Sequence, residues 1–262
     1  MKILVTGATS MLGAALAERL AARGETVTVL QRRPSGLRHR EVLADITDRG
    51  AVLAALHGHD AALHLAAKVD VHGPYREFAR TNITGTRVVV EACRRAGVPR
   101  LVHVSTPSVA HSGAPLVGAP AGPADPDRAR GHYARSKAVA ELLALAADAA
   151  PEGPATVVVR PHLVWGPGDT QLVGRILARA RAGRLPVIGS GAALIDTTYL
   201  TNAVDALVAA LDRCAEARGH ALVVSNGEPR PVAELLAAIC RAAGVRAPRH
   251  AVPATLARWA GA

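Results

Sequence analysis

Lysine is nearly missing from this chain: Lys2, Lys68 and Lys137 are the only ones among 31 basic residues. A composition that avoids lysine so strongly keeps one where arginine fails. An ammonium shifts its pKa readily and carries a relay proton, whereas a guanidinium stays charged. Aromatic residues are scarce too, with one Phe, two Trp and three Tyr. The arginines are dispersed (Arg19, Arg23, Arg38, Arg87, Arg100, Arg179, Arg213) rather than gathered in a stripe. Nucleic-acid binding uses clustered positive charge with aromatic stacking partners, so that class is set aside. The net charge of +10 leaves at most a mild preference for anionic ligands. Cys93, Cys214 and Cys240 are odd in number and lack CxxC spacing, so they read as small core side chains of a reducing compartment, and no metal site is expected. The most apolar helix, Ala138 to Ala150, is interrupted by Glu141 and Asp148, so no membrane span is expected. Met1 leads straight into a strand, which predicts no secretory leader and a cytoplasmic protein.

What the chain does have is alternation. Strand-length apolar runs (Lys2–Thr6, Thr26–Leu30, Glu41–Ala44, Ala61–Ala66, Leu101–Ser105, Thr156–Arg160) are separated by helical patterns over Met11–Arg23, Asp48–Leu56, Glu77–Ala96 and Ala129–Ala149. The stretch from Ala110 to Asp127 is rich in proline and glycine and reads as a loop. This succession predicts an α/β fold, a Rossmann-like doubly wound parallel sheet over residues 1–160. From 161 to 262, short strands (Pro186–Ile188, Leu222–Ser225) mix with helices (Leu172–Ala182, Asn202–Cys214, Val232–Ala243). That region reads as a small substrate-binding part, partly interleaved with the main sheet.

Three places carry chemistry. Thr6-Gly7-Ala8-Thr9-Ser10-Met11-Leu12-Gly13 follows a strand and opens a helix, as a dinucleotide-binding turn must. Gly7 permits the tight turn and Gly13 close helix–strand packing. Thr9 and the amides of Ser10, Met11 and Leu12 are expected at a pyrophosphate on the helix dipole. Ser10 stands at the motif's middle glycine, with a hydroxyl to donate. The second strand ends in Leu30-Gln31-Arg32-Arg33, with no acid for ribose hydroxyls and two arginines for a 2′-phosphate. NADP(H) is therefore favoured over NAD(H). Asp45 and Ile46, after the third strand, are placed to flank the adenine.

The third place joins Ser105-Thr106-Pro107-Ser108, at a strand end, to Tyr133 and Lys137 one helical turn apart. A phenol near pKa 10 is a poor acid–base group at neutral pH, and a neighbouring lysine cation lowers it. Thr106 would hold a substrate oxygen as charge develops on it. The plain alternatives are an ordinary glycine turn, solvated surface arginines, and a packed tyrosine beside a solvated lysine.

Together these residues resemble the extended short-chain dehydrogenase/reductase superfamily, within the NAD-dependent epimerase/dehydratase family, over most of the chain. The likeness extends to His64-Leu65-Ala66-Ala67, to Thr81-Asn82-Ile83-Thr84-Gly85-Thr86, to Arg160-Pro161-His162-Leu163-Val164-Trp165-Gly166-Pro167-Gly168-Asp169 and to Asp196-Thr197-Thr198-Tyr199. Ala66-Ala67-Lys68 with Val71-His72-Gly73, and Ser105-Thr106-Pro107-Ser108-Val109, are most similar to the 3β-hydroxysteroid dehydrogenase-like branch, which includes bacterial 2-alkyl-3-oxoalkanoate reductases.

The resemblance implies Thr106 as the catalytic hydroxyl (Ser105 the fallback), Tyr133 as acid–base, Lys137 as its partner and Asn82 as a helix asparagine near the active site. It implies Leu65, Ala66, Ala67, Lys68, Val104, Ser105, Pro161 and Val164 along the cofactor. Lys68, His72, Ser108, His162, Trp165 and Tyr199 are the expected substrate contacts. No Asp-Glu pair follows Thr106, as it does in sugar-nucleotide 4,6-dehydratases, and His162 stands where epimerases often carry Asn. Both features favour ketone/alcohol redox chemistry on a hydrophobic β-oxo, hydroxy-acyl or sterol-like substrate. The rivals are a sugar-nucleotide epimerase with retained NAD and an NADP-binding regulatory protein without turnover. The family's dimer helices match Glu77–Ala96 and Ala129–Ala149, implying a homodimer. The chain stops short of the family's usual length, from which a more open pocket or a covering partner is expected.

Overall fold

Lys2–Thr6 (β1) is buried from Ile3 onward, as a strand covered on both faces requires. It is followed by α1 (Met11–Ala22), β2 (Thr26–Gln31), β3 (Arg40–Leu43) and α2 (Arg49–Leu56). Asp48 caps α2 by accepting from the Ala51 amide. Then come β4 (Ala61–His64), α3 (Tyr75–Phe78), α4 (Gly85–Ala96), β5 (Arg100–Val104), α5 (Gly131–Ala149) and β6 (Ala155–Pro161). The chain continues through β7 (Val164–Trp165), α6 (Val173–Arg181), β8 (Val187–Ile188), β9 (Leu194–Ile195), β10 (Thr198–Tyr199), α7 (Leu200–Asp212), β11 (Ala221–Val224), β12 (Arg230–Pro231), α8 (Val232–Ala242) and β13 (Ala251–Val252). This computed structural model describes all residues but 71, 112, 114, 115, 249, 254 and 256–262, so Val71 of the quoted motif lies outside the described residues.

The main sheet has seven strands in the order β11-β6-β5-β4-β1-β2-β3, every pair parallel. Strand order reverses between β1 and β4, and ligands of open α/β sheets bind beyond the strand ends at such a point. The C-terminal ends of β1, β4 and β5 place Gly7, Leu65 and Ser105 there. One core layer packs Leu4, Leu30, Leu63's neighbour Ala62 and Leu101 of the sheet against Val52 of α2 and Val89 of α4. Two compact units result: Met1–His162 with Thr201–Val224, and Leu163–Leu200 with Ser225–Ala262. The first contains the whole seven-stranded sheet. Among the described residues no helix is long and apolar enough to cross a membrane.

The helix predicted over Glu77–Ala96 is not continuous. It begins at Tyr75, and residues Ala79–Thr84 form a π turn before α4. A π turn admits one extra residue per turn, and such turns concentrate at functional sites. Here it accompanies a buried Asn82 whose carboxamide bonds to the backbone of Lys68 and to Ser136. Apolar spacing alone reads the segment as ordinary α-helix, because the signal lies in a side-chain bond and not in the period.

Candidate active site

The turn after β1 shows how closely backbone meets backbone. Gly7 has φ +80°, and a Cβ on it would stand 2.8 Å from the Ala66 nitrogen. A Cβ on Gly13 would stand 2.4 Å from the Gly7 carbonyl oxygen. Both positions therefore exclude a side chain, and the start of α1 is left as a shallow cradle that suits a dinucleotide pyrophosphate. Ser10 departs from its expected part. Its amide donates to the Gly7 carbonyl at 3.1 Å; its hydroxyl donates to the same carbonyl at 2.8 Å and accepts from the Gly13 amide at 3.1 Å. The helix start needs an N-cap acceptor, and Ser10 is the residue in that place. Exposed Thr9 and the first-turn amides of Met11 and Leu12 remain beside it.

Arg32 and Arg33 are exposed beyond the end of β2. The nearby Glu41 carboxylate on β3 is tied into the β2–β3 turn, accepting from the Ser35 amide at 2.9 Å and the Ser35 hydroxyl at 2.7 Å. Burial raises the Asp45 carboxyl, but hydrogen bonds from the Thr47 amide and hydroxyl, with the charges of Arg80 and Arg32, outweigh it and hold the group below its ordinary value. Ile46 is buried against Gly85, where a Cβ would meet its Cδ1 at 2.4 Å.

At the end of β5, Thr106 caps a short 3-10 turn over Pro107–Ala110; its Oγ1 accepts from the Ser108 amide at 3.3 Å. The Thr106 hydroxyl stands beside the Tyr133 phenol on α5, where it favours the phenolate. One turn along α5, Lys137 is buried and donates to the Val104 carbonyl at 2.7 Å. Burial pushes Lys137 down to about 8, against the opposing charge of Glu141. The phenol does not follow the expected direction. Burial pushes Tyr133 up to about 12, and the neighbouring Thr106 hydroxyl only partly offsets this. Desolvation of the phenolate dominates, and the expected lowering by Lys137 does not appear beside it.

Asn82 braces this constellation. Its Oδ1 accepts from the Lys68 amide at 2.7 Å, and its Nδ2 donates to the Lys68 carbonyl at 3.1 Å and to Ser136 Oγ at 2.9 Å. Ser136 in turn donates to the Tyr133 carbonyl at 2.8 Å. The segment Leu65–Lys68 is thereby fixed to the turn of α5 that presents Tyr133. Ser105 is buried, with its hydroxyl unpartnered among the described residues, while Ser108 and His72 are exposed. Lys68 Nζ is paired with Asp70 at 2.8 Å and Glu77 at 3.1 Å. Pro161 ends β6, and the His162 amide donates to the Val224 carbonyl at 2.8 Å.

The smaller unit holds Val164, Trp165 and Tyr199, on the paired strands β7 and β10. The Trp165 and Tyr199 rings meet edge-on at 5.0 Å, and the indole donates to Thr197 Oγ1 at 3.0 Å. Both rings line a cavity of about 670 Å³ walled by Leu172, Leu177, Leu235 and Ile239. Such a cavity accepts a ligand with a sizeable apolar part.

Sequence reasoning missed two buried polar pairs. His64 on β4 and His103 on β5 are register neighbours with ring centroids 5.3 Å apart. Glu141 on α5 pairs with Arg160 on β6: Nε is 3.0 Å from Oε2, and Nη2 bonds Oε1. Arg160 Nη1 reaches the carbonyls of Ala121 and Gly122, the latter at 3.0 Å. Polar residues inside otherwise apolar strands are the only trace these pairs leave in sequence.

Residues 3–225 match the NAD dependent epimerase/dehydratase family. The chain is 42% identical over 261 residues to a 2-alkyl-3-oxoalkanoate reductase of Stenotrophomonas maltophilia, covering 95% of this chain and 77% of that one. It is 31% identical to the decarboxylating sterol-4-alpha-carboxylate 3-dehydrogenase of Homo sapiens, covering 95% and 68%. Among solved structures, a double mutant of a dTDP-glucose 4,6-dehydratase from Streptomyces venezuelae with NAD bound superimposes with a TM-score of 0.83 at 25% identity, covering 97% of this chain and 84% of that one.

Proposed function

This chain belongs to the NAD dependent epimerase/dehydratase family and is an NAD(P)-dependent short-chain dehydrogenase/reductase acting on CH–OH, and on that footing we propose that it interconverts a ketone and a secondary alcohol on a hydrophobic β-oxo, hydroxy-acyl or sterol-like substrate, with NADP(H) preferred. The observation that carries this reading is the placement of the Thr106 hydroxyl, after β5, beside the Tyr133 phenol of α5, one helical turn from buried Lys137 held by the Val104 carbonyl. Two hydroxyls are brought together to hold one carbonyl oxygen, and one of them stays protonated up to about 12. The nicotinamide, when bound, supplies or accepts the hydride. In reduction Tyr133 gives its proton to the oxygen that Thr106 holds, and the Lys137 ammonium offsets the charge left on the phenolate. Asn82 keeps Tyr133 in place through Ser136.

Thr9 and the Met11 and Leu12 amides would hold the pyrophosphate on the turn that Gly7, Ser10 and Gly13 shape, Arg32 and Arg33 a 2′-phosphate, and Asp45 and Ile46 the adenine. Two features support plain redox chemistry: Pro107-Ser108 after Thr106, and His162 after Pro161. The apolar cavity in the smaller unit supports a hydrophobic substrate, and so do the names of the reductase and sterol dehydrogenase relatives.

The test is loss of reduced-cofactor absorbance with a 2-alkyl-3-oxoalkanoate. NADPH should be preferred over NADH by at least about 10-fold, and Arg32→Ala with Arg33→Ala should erase the preference. NAD retained through purification, with no net change in cofactor absorbance, would turn the reading to an epimerase. We also propose a homodimer through α4 and α5. Light scattering at micromolar concentration should return twice the 27.0 kDa chain mass, and a monomer mass would refute it.

A further inference from the structure

One buried titratable group lies against the catalytic residues without a part in the scheme above. The His103 ring on β5 is fully buried, and its Nε2 lies 3.3 Å from Lys137 Nζ. Its Nδ1 finds no hydrogen-bond partner among the described residues. A buried ring nitrogen left unpaired carries its full desolvation penalty, which an apolar ring of similar size would avoid. The imidazole therefore needs a compensating role.

The hydrogen bonds restrict what that role is. An ammonium has three N–H donors and no acceptor. The Val104 carbonyl takes one donor at 2.7 Å. Nε2 of His103 is the only side-chain acceptor within hydrogen-bond distance of Lys137 among the described residues, and it accepts only when the ring is neutral with its proton on Nδ1. The surrounding groups keep it so. At the end of β1, Thr6 Oγ1 accepts from the Leu65 and Ala66 amides, and so must donate to Nδ1 of His64 on β4 at 2.8 Å; Nε2–H of His64 then donates to Thr86 at 3.0 Å. His64 is thus a second neutral imidazole. On α5, the Glu141 charge is shared with Arg160 of β6, and Tyr133 is protonated at neutral pH. Burial, then Lys137 and His64, hold His103 well below its ordinary value, so it does not become a competing cation.

We propose that His103 is a positioning residue for the reaction: as a neutral imidazole it accepts a hydrogen bond from Lys137 and, with the Val104 carbonyl, fixes the lysine as an ammonium on the catalytic turn of α5. The margin is narrow, because burial, even against the charge of Glu141, already brings Lys137 to about 8. Losing a charge-assisted acceptor would carry it to about 7, where half the amine is neutral. The inference rests on the proposed role of Lys137, but its test does not need turnover.

With only three lysines, protein labelled at lysine 13Cε gives three titrating NMR signals, and Lys137→Met identifies the one near pH 8. His103→Phe keeps an aromatic ring of similar size and removes the acceptor; His103→Gln keeps an acceptor near the Nε2 position and removes the ring. His103→Met is a second acceptor-free side chain that packs adaptably, should the Phe variant fail to fold. The Lys137 midpoint is expected about one pH unit lower in the Phe or Met variant and within about 0.3 of the parent in the Gln variant. At pH 7.5 the rate of ketone reduction should fall roughly 3-fold in the acceptor-free variants, as the ammonium fraction drops from about three quarters to about one quarter, with KM little changed, and the Gln variant should recover most of it. An unchanged Lys137 midpoint in the Phe or Met variant, or Phe and Gln behaving alike, overturns the proposal. A parent protein that turns over no ketone counts against the ketoreductase reading, and the lysine titration still decides the role of His103.

Discussion

Phenylalanine at position 133 lowers the rate of ketone reduction by at least about 100-fold and leaves NADPH affinity within about threefold. The Tyr133 hydroxyl is the acid placed beside Thr106, while the Lys137 ammonium is held by the Val104 carbonyl and His103. Thr106 is an aliphatic alcohol, and His64 and His103 are neutral, held there by burial. Tyr133 stays protonated up to about 12, so reduction does not lose its acid within the working range. The pH dependence therefore belongs to Lys137. Its ammonium dominates below about 8 and the amine above, and only the ammonium offsets a phenolate. Steady-state rates between pH 6 and 9.5 should be flat on the acid side and fall as pH rises through about 8. In Tyr133→Phe no phenolate forms, so the residual rate should lose that fall. A Phe variant within threefold of the parent would remove Tyr133 from the chemistry.

The second large effect is on stability. Glu141→Gln leaves the Arg160 guanidinium buried with half its partner gone, and breaking a buried ion pair from one side costs about 3–5 kcal/mol. For a chain of this size that lowers the melting temperature by roughly 10 °C. Glu141→Leu with Arg160→Met should recover much of the loss, because neither charge is then stranded. Recovery should stop short of the parent, since the Ala121 and Gly122 carbonyls lose their donor. Calorimetric melts of the three proteins decide it. A single Glu141→Gln variant melting within about 2 °C of the parent would mean that water reaches the pair and screens it.

Much of the sheet was legible because strands buried on both faces must be runs of apolar residues, and β1, β2, β4, β5 and β6 are such runs. The turn at Gly7 and Gly13 was legible because close backbone approach leaves glycine as the residue that fits. Tyr133 and Lys137 stood out because the rest of the chain avoids both residue types. What the sequence withheld depends on contacts between distant segments. The π turn reflects a carboxamide reaching Lys68 and Ser136, and neither partner alters the apolar period of the helix. Ser10 reads as a phosphate donor until the Gly13 amide is seen to need an acceptor. His103 sits in Leu101-Val102-His103-Val104, where a histidine in a strand says nothing of the lysine 34 residues later. The fall in Tyr133 acidity was misjudged for a related reason: spacing gives the distance between two groups along a helix, but not how far water is excluded from both.

Arg160 grips the stretch before α5 by main-chain oxygens alone. A guanidinium that recognises carbonyls is blind to the side chains around them. Exchanging the side chain of Ala121 should therefore leave this mooring to β6 intact.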